Sequence, residues 1–454
     1  MKKLGVLLMA ALLATTPLAA SADELMDITR EMYPEVLDIH RPKSSIIVDA
    51  KTGDVVWEDN ADLVRDPASM SKLMTLYLVF EALDKGEISK EDVVTATPRE
   101  QAIAGLYAIS NNKIVAGVDY TVDELITMTA IPSSNVTTVM LADLLSNGDP
   151  DVFLDKMNET SQKLGMSNTR WYNASGAAAV SFSGYYTPQK YDNTQANQTT
   201  ARDMAILGVN FVNKYPDILN YTKAPVVTVK EGTPYEETFE TYNYSVEGAL
   251  YGMEGVDGLK TGSSPKGAFN YIATGERKGE RFVELIMGVG DWADQDGEYY
   301  RHPFGNALLE KAFADYEYKK IFDKGLVEVD GQKYKVDQDV YATVKKGSTP
   351  SVQVKNDVLT VENGLSPINE QLDVTYKVTK DNSFFASAQK ADGQTKSNRE
   401  NSLLVSLLDN YQWLLLIPIF LLLALILLLI RLFFTNTGTK EKKKSKKRDK
   451  TTIK

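Results

Sequence analysis

The chain predicts an α/β (α+β) globular domain, a small all-β domain after it, and one C-terminal transmembrane helix. Three observations carry this expectation. From about residue 44 to 313 helical and strand periodicities mix; from 321 to 387 short alternating runs dominate, such as Tyr334-Lys335-Val336, Val340-Tyr341-Ala342-Thr343-Val344 and Leu372-Asp373-Val374-Thr375-Tyr376-Lys377-Val378; and residues 413–434 are almost wholly apolar. The divisions that follow are 1–22 for a signal peptide, 23–315 for the mixed domain, 316–390 for the all-β domain, 391–412 for a juxtamembrane linker, 413–434 for the membrane helix and 435–454 for a basic tail.

Both ends read as membrane addresses. Lys2 and Lys3, the apolar stretch 4–14 and Ala20-Ser21-Ala22 match a secretory leader cleaved before Asp23. At about 1.5 Å per residue, 413–434 is long enough for a hydrocarbon core about 30 Å thick. It is apolar on every face and runs into Lys442-Lys443-Lys444-Ser445-Lys446-Lys447-Arg448, which a buried core helix would not do. The positive-inside rule then places the tail in the cytoplasm and the body outside the cell, on a single-pass protein of the cell membrane.

Charge and composition narrow the chemistry. The 454 residues are 43% hydrophobic and 24% charged, a globular composition. The formal charge of -11 conceals nine Lys/Arg against two acids in the tail and two Lys in the leader, which leaves -20 for the remainder. Such a body repels a phosphate backbone, so no nucleic-acid partner is expected. With no Cys and two His, neither a thiolate nucleophile nor a Cys/His zinc site can be built. Catalysis falls to Ser, Lys, Asp, Glu, Tyr or a carboxylate-bound metal; the motifs below call for no metal or cofactor.

The mixed domain opens with a hairpin, Ser45-Ile46-Ile47-Val48-Asp49 and Val55-Val56-Trp57-Glu58 around a Lys51-Thr52-Gly53-Asp54 turn. Next, Asp66 is placed as an N-cap, Pro67 at the first helical position and Gly86 as the stop of an apolar helix, which sets Ser69 in its first turn. Lys72, three residues on, shares a face with Ser69. A serine hydroxyl needs a base, and a desolvated Lys can serve where no His is near. Ser-x-x-Lys occurs four times, beginning at Ser69, Ser110, Ser263 and Ser387, so context decides.

Two further elements supply that context. Thr121 and Glu124 have capping-box spacing before a helix that Pro132 interrupts; Ser133-Ser134-Asn135 then opens a second apolar helix and can present a hydroxyl and an amide into a cleft. Ser110-Asn111-Asn112 fits the same pattern without those flanks and is assigned to a turn. Lys260-Thr261-Gly262-Ser263 lies on a glycine-punctuated strand leading into a hairpin, where Lys and Thr suit a carboxylate and Gly262 permits close backbone approach.

Ser-x-x-Lys, Ser-x-Asn and Lys-Thr-Gly in this order, with the flanks Asp66-Pro67-Ala68 and Thr199-Thr200-Ala201-Arg202-Asp203, resemble the low-molecular-mass D-alanyl-D-alanine carboxypeptidases of peptidase family S11, which are penicillin-binding proteins. The resemblance implies a serine β-lactamase/penicillin-binding-protein-like fold. It implies Ser69 as the acylated nucleophile, Lys72 as general base, and Ser133 and Asn135 as proton relay and peptide guide. Lys260 and Thr261 would hold the terminal carboxylate, and the Ser69 and Ser263 amides the oxyanion. The implied substrate is a peptidoglycan pentapeptide, with β-lactams as covalent inhibitors.

Two alternatives stay open. A class A-like β-lactamase needs a further carboxylate, and Asp217-Ile218-Leu219-Asn220 matches that motif only faintly. A catalytically silent wall-associated scaffold could use Tyr185, Tyr186, Trp292, Tyr299 and Tyr300 to stack on sugars. His40 and His302 read as surface or packing residues, and 185–198 as a polar surface loop.

Overall fold

The structure is a computed structural model that describes residues 23–381. The expected signal peptide, linker, membrane helix and basic tail, and residues 382–390 of the β module, lie outside the described residues. Among the described residues no helix is long and apolar enough to cross a membrane.

The expected hairpin forms β1 (Ser44–Asp49) and β2 (Asp54–Asp59). β1 also pairs with β9 (Glu280–Val289), β9 with β8 (Ala268–Arg277), and β8 with β7 (Val256–Ser264), all antiparallel. Every residue of β1 is buried because helices cover both faces of this sheet. Ile46, Val48, Ile272 and Leu285 face one core, with α2 (Lys72–Asp84), α5 (Asn135–Ser146) and α7 (Ala201–Lys214). Ile47, Tyr271, Ala273 and Ile286 face the other, under α1 (Glu24–Met32) and α9 (Gly297–Asp315).

The helical side is completed by α3 (Pro98–Ala104), α4 (Val122–Ala130), α6 (Pro150–Leu164) and α8 (Leu219–Thr222), with the short pairs β3 (Val93–Thr95) with β4 (Asp119–Thr121) and β5 (Val226–Val229) with β6 (Glu237–Glu240). Thr121 and Glu124 form the expected capping box. α2 is buried on almost every face, so it runs through the core instead of along it. That position removes Lys72, its first residue, from water.

Beyond α9 the chain is all β. β10 (Tyr316–Phe322) pairs with β13 (Val340–Lys345), while β11 (Gly325–Val329), β12 (Gln332–Val336), β17 (Tyr376–Lys380), β15 (Val358–Glu362) and β14 (Ser351–Lys355) form a five-stranded sheet in that order. The alternation read across 372–378 overstates the strand, because β17 starts only at Tyr376. Leu372 instead packs against the core of the mixed domain, as does buried Ile368. Between them and β15, β16 (Ser366–Pro367) pairs with β2 and extends the large sheet. Polar bonds tie the same junction: Thr343 Oγ1 donates to Asp49 Oδ2 (2.8 Å), and Asn363 Nδ2 to Asp54 Oδ2 (2.8 Å).

Candidate active site

Ser69 does not sit in the first turn of the α-helix as the sequence suggests. It lies on a 3-10 turn, Ala68–Ser71, that precedes α2. Ala68 has a left-handed φ of 48°, which prevents continuous α geometry through this point. The turn is clamped by two glycine backbones. A Cβ on Gly176 would fall 2.0 Å from the Ala68 carbonyl oxygen, and one on Gly262 would fall 2.3 Å from the Pro67 oxygen and 3.0 Å from the Ser69 nitrogen. Gly262 thus admits the nucleophile's own turn beside the strand. Asp66 fixes the approach, accepting from the Ala68 amide (2.8 Å) and from Ser264 Oγ (2.6 Å).

Lys72 is fully buried and its Nζ meets three oxygens: Ser69 Oγ at 3.0 Å, Asn135 Oδ1 at 2.9 Å and the Ser175 carbonyl at 2.9 Å. Burial, and secondarily the charge of Lys260, hold its pKa well below the ordinary lysine value. Asn135 is the first residue of α5, and its Nδ2 donates to the Ser110 carbonyl (2.8 Å). Its side chain is therefore occupied by Lys72 and Ser110. Ser133 has a left-handed φ of 61°, and its buried hydroxyl has no hydrogen-bond partner among the described residues.

The opposite wall is β7. Lys260 is buried, donates to the Thr261 carbonyl (3.2 Å), and is pushed down to about 7 by burial and then by the charge of Arg301. Arg301, on α9, is itself buried without a salt-bridged carboxylate among the described residues. It donates to Ser263 Oγ (3.1 Å) and the Asn270 carbonyl (3.2 Å), and burial brings it to about 10.

Between the walls runs a cleft with two lobes. The larger, ≈ 430 Å³, is lined by Ala108, Ile109, Ala177, Ala178, Ala196 and Pro265 among others. The smaller, ≈ 190 Å³, carries Ser133, Thr261, Gly262 and Arg301. Ser69, Ser110, Ser263 and Trp292 border both. A hydroxyl facing a dehydrated amine, next to a small lobe lined by Thr261, Arg301 and Glu298 on the wall that buries Lys260, suits acyl transfer from a substrate that ends in a carboxylate.

The structure thus unites Ser69, Lys72 and Asn135 by direct bonds and brings Ser133, Thr261, Gly262 and Ser263 to the same lobe. Sequence reasoning missed Ser110, whose turn is a wall of the cleft, and also the Ser175 carbonyl and Arg301. The 185–198 segment is not simply a surface loop, since Tyr186, Tyr191 and Asn197 are buried and Thr194 and Ala196 line the larger lobe. The histidines pack: His40 stacks on Tyr300, and His302 is buried with Nδ1 3.0 Å from Ser245 Oγ. Asp217 lines a different pocket, with Lys90 and Lys214.

Comparison with known proteins agrees with this geometry. A family model described as D-alanyl-D-alanine carboxypeptidase, peptidase S11, matches residues 31–291, and one described as a domain of unknown function (DUF1958) matches 318–379. The chain is 27% identical over 362 residues to the D-alanyl-D-alanine carboxypeptidase DacF of Bacillus subtilis, covering 78% of this chain and 85% of that one. It is 28% identical over 346 residues to DacA of Escherichia coli, covering 72% and 76% respectively. Among solved structures, the peptidoglycan synthesis regulatory factor PBP3 of Streptococcus pneumoniae superposes with a TM-score of 0.64 at 25% identity, over 75% of this chain and 98% of that one. The first model covers more than half of the residues, and its span contains the clamped serine, the dehydrated lysine and the Lys-Thr-Gly strand: the chain belongs to the D-alanyl-D-alanine carboxypeptidase family, peptidase S11.

Proposed function

We propose that this protein is a serine D-alanyl-D-alanine carboxypeptidase that removes the terminal D-Ala from peptidoglycan pentapeptide stems and is acylated by β-lactams. The observation that carries the reading is the triple coordination of Lys72. A neutral amine has two N–H donors and one lone pair. Asn135 Oδ1 and the Ser175 carbonyl are acceptors only, so they take both N–H groups and leave the lone pair facing the Ser69 hydroxyl.

The steps follow from that orientation. Lys72 takes the Ser69 proton as Oγ attacks the carbonyl carbon of the penultimate D-Ala. The Ser69 and Ser263 amides hold the oxyanion. Collapse breaks the peptide C–N bond, and the proton passes, with the Ser133 hydroxyl as relay, to the departing D-Ala nitrogen. Lys260 and Thr261 hold the terminal carboxylate in the small lobe. Water then hydrolyses the ester, restoring Ser69 and releasing the shortened stem.

The protein is exported by its 1–22 leader and held in the cell membrane by 413–434, with 435–454 in the cytoplasm and the β module lifting the cleft towards the wall. Support comes from hydropathy and charge alone. Truncation after residue 390 is expected to release soluble enzyme that still cleaves free pentapeptide and acts poorly on intact wall.

The activity is tested by measuring D-Ala release from a pentapeptide and by mass spectrometry after incubation with a β-lactam. D-Ala release and an adduct on Ser69, both abolished in Ser69→Ala, are expected. Release by Ser69→Ala would place the activity elsewhere. Rapid penicillin hydrolysis without D-Ala release would make the protein a β-lactamase instead.

A further inference from the structure

The orientation of Lys72 depends on one main-chain carbonyl, that of Ser175, and a carbonyl in a loop is only as well placed as the turn that carries it. This turn is unusually well held. Asn173 Oδ1 accepts from the amides of Ser175 (3.3 Å) and Gly176 (2.6 Å), closing an Asx turn around Ala174. Asn197, fully buried, holds Asn173 in turn: its Oδ1 accepts from the amides of Tyr172 (2.7 Å) and Asn173 (3.1 Å), and its Nδ2 donates to the Asn173 carbonyl (3.0 Å) and to Asn173 Oδ1 (3.2 Å).

The same Nδ2 also donates to Ser71 Oγ at 2.9 Å, which locks the turn to the segment between the nucleophile and Lys72. Thr75, on α2, donates to the Ala174 carbonyl (2.7 Å) and adds a further tie. Asn173, Asn197, Ser71 and Thr75 do not line the cleft, so a role in binding substrate directly does not account for them. Apart from Asn173 Nδ2, which has no partner among the described residues, the polar groups named here are paired, and such a network holds the turn in one geometry.

We propose that Asn197 and Asn173 are positioning residues that aim the Lys72 lone pair at Ser69 by fixing the Ser175 carbonyl. Loss of either amide frees that carbonyl to turn. Lys72 then keeps an N–H unpaired, and its lone pair points at Ser69 for only part of the time. The inference rests on the reading above, in which Lys72 is the base for Ser69.

The test is the time course of labelling of the full chain by a fluorescent penicillin, separated into a noncovalent binding constant, a first-order acylation rate constant and a final labelled fraction. Asn197→Ala and Asn173→Ala are expected to lower the rate constant about tenfold or more, with the binding constant within about threefold and the labelled fraction complete. Thr75→Val, close in shape to the parent, is expected to slow acylation to a smaller degree and serves if the alanine variants do not fold.

A parental rate constant in every variant that folds would overturn the assignment. So would a lower labelled fraction with a parental rate constant, because that is the mark of a merely structural residue. Failure of the parent itself to label on Ser69 would bring down the proposed function and this inference with it. Normal labelling of the parent, matched by the variants, removes the inference alone.

Discussion

The two walls of the cleft each bury a lysine, and the two amines are prepared for different work. On the helical wall Lys72 meets three oxygens, two of which can only accept. On the strand wall Lys260 has a single protein acceptor among the described residues, the Thr261 carbonyl at 3.2 Å. Burial depresses both, with a neighbouring cation adding to it in each case. The difference lies in unspent donors. An amine whose N–H groups are used is oriented as a base, while one with donors to spare is ready for an anion, whose arrival would favour its charged form.

The largest effect is expected on the helical wall. Lys72→Ala should lower the acylation rate constant of Ser69 by about 10³-fold, within the range usual for a positioned general base. Lys72→Arg should fare no better, since a guanidinium stays protonated. Stopped-flow or gel-based penicillin labelling measures this. Acylation by either variant within tenfold of the parent would remove the distinction between the two lysines.

A smaller and more selective loss is expected from Lys260→Gln. kcat/KM for a peptide with a free terminal carboxylate should fall about 10²-fold, whereas an amidated peptide, already poor, should change little. The pH dependence gives the sign. Lys260 is brought to about 7 in the free enzyme, so its charge, and with it carboxylate capture, declines as pH rises through about 7. Lys72 must be neutral, so its limb lies on the acid side. The alkaline limb of kcat/KM should therefore flatten in Lys260→Gln while the acid limb remains. Persistence of the alkaline limb would assign it to another group.

How far these walls were legible in the sequence depends on how local their construction is. Ser69 and Lys72 are three residues apart across a 3-10 turn and the helix it leads into, and Lys260 to Ser263 follow one another on one strand, so local spacing brings each group together once the flanking context has picked this Ser-x-x-Lys out of four. The capping box at Thr121 and the break at Pro132 likewise locate Ser133 and Asn135. Ser175 acts through a carbonyl that no side-chain pattern records, and Arg301 reaches the cleft from a helix 38 residues beyond Ser263. The 3-10 turn under Ser69 is a tertiary effect too, set by Gly176 and Gly262 pressing on it from two sides. Alternation misled only where chain leaves the β module to dock elsewhere, as at Leu372.

The smallest effect on turnover, and a check on the whole comparison, is expected behind the strand wall. Glu284 on β9 is fully buried, neither carboxyl oxygen has a well-formed hydrogen bond among the described residues, and a Cβ on Gly305 would sit 2.6 Å from Oε1. Burial raises it to about 8, against the weaker opposing effect of the neighbouring Tyr271 hydroxyl. With a folded value above the unfolded one of about 4.3, the native state holds the extra proton across this window. The stability linked to Glu284 is thus complete below about pH 4.3 and is lost as pH rises through about 8. Glu284→Gln carries no such titration, so its melting temperature should gain on the parent between pH 5 and 9, by the equivalent of a few kcal/mol. Turnover should stay within about twofold, and the alkaline limb of kcat/KM should survive intact. If that limb instead vanished with Glu284, a titrating carboxyl beneath the strand would govern carboxylate capture, and Lys260 would lose the role that sets it apart from Lys72.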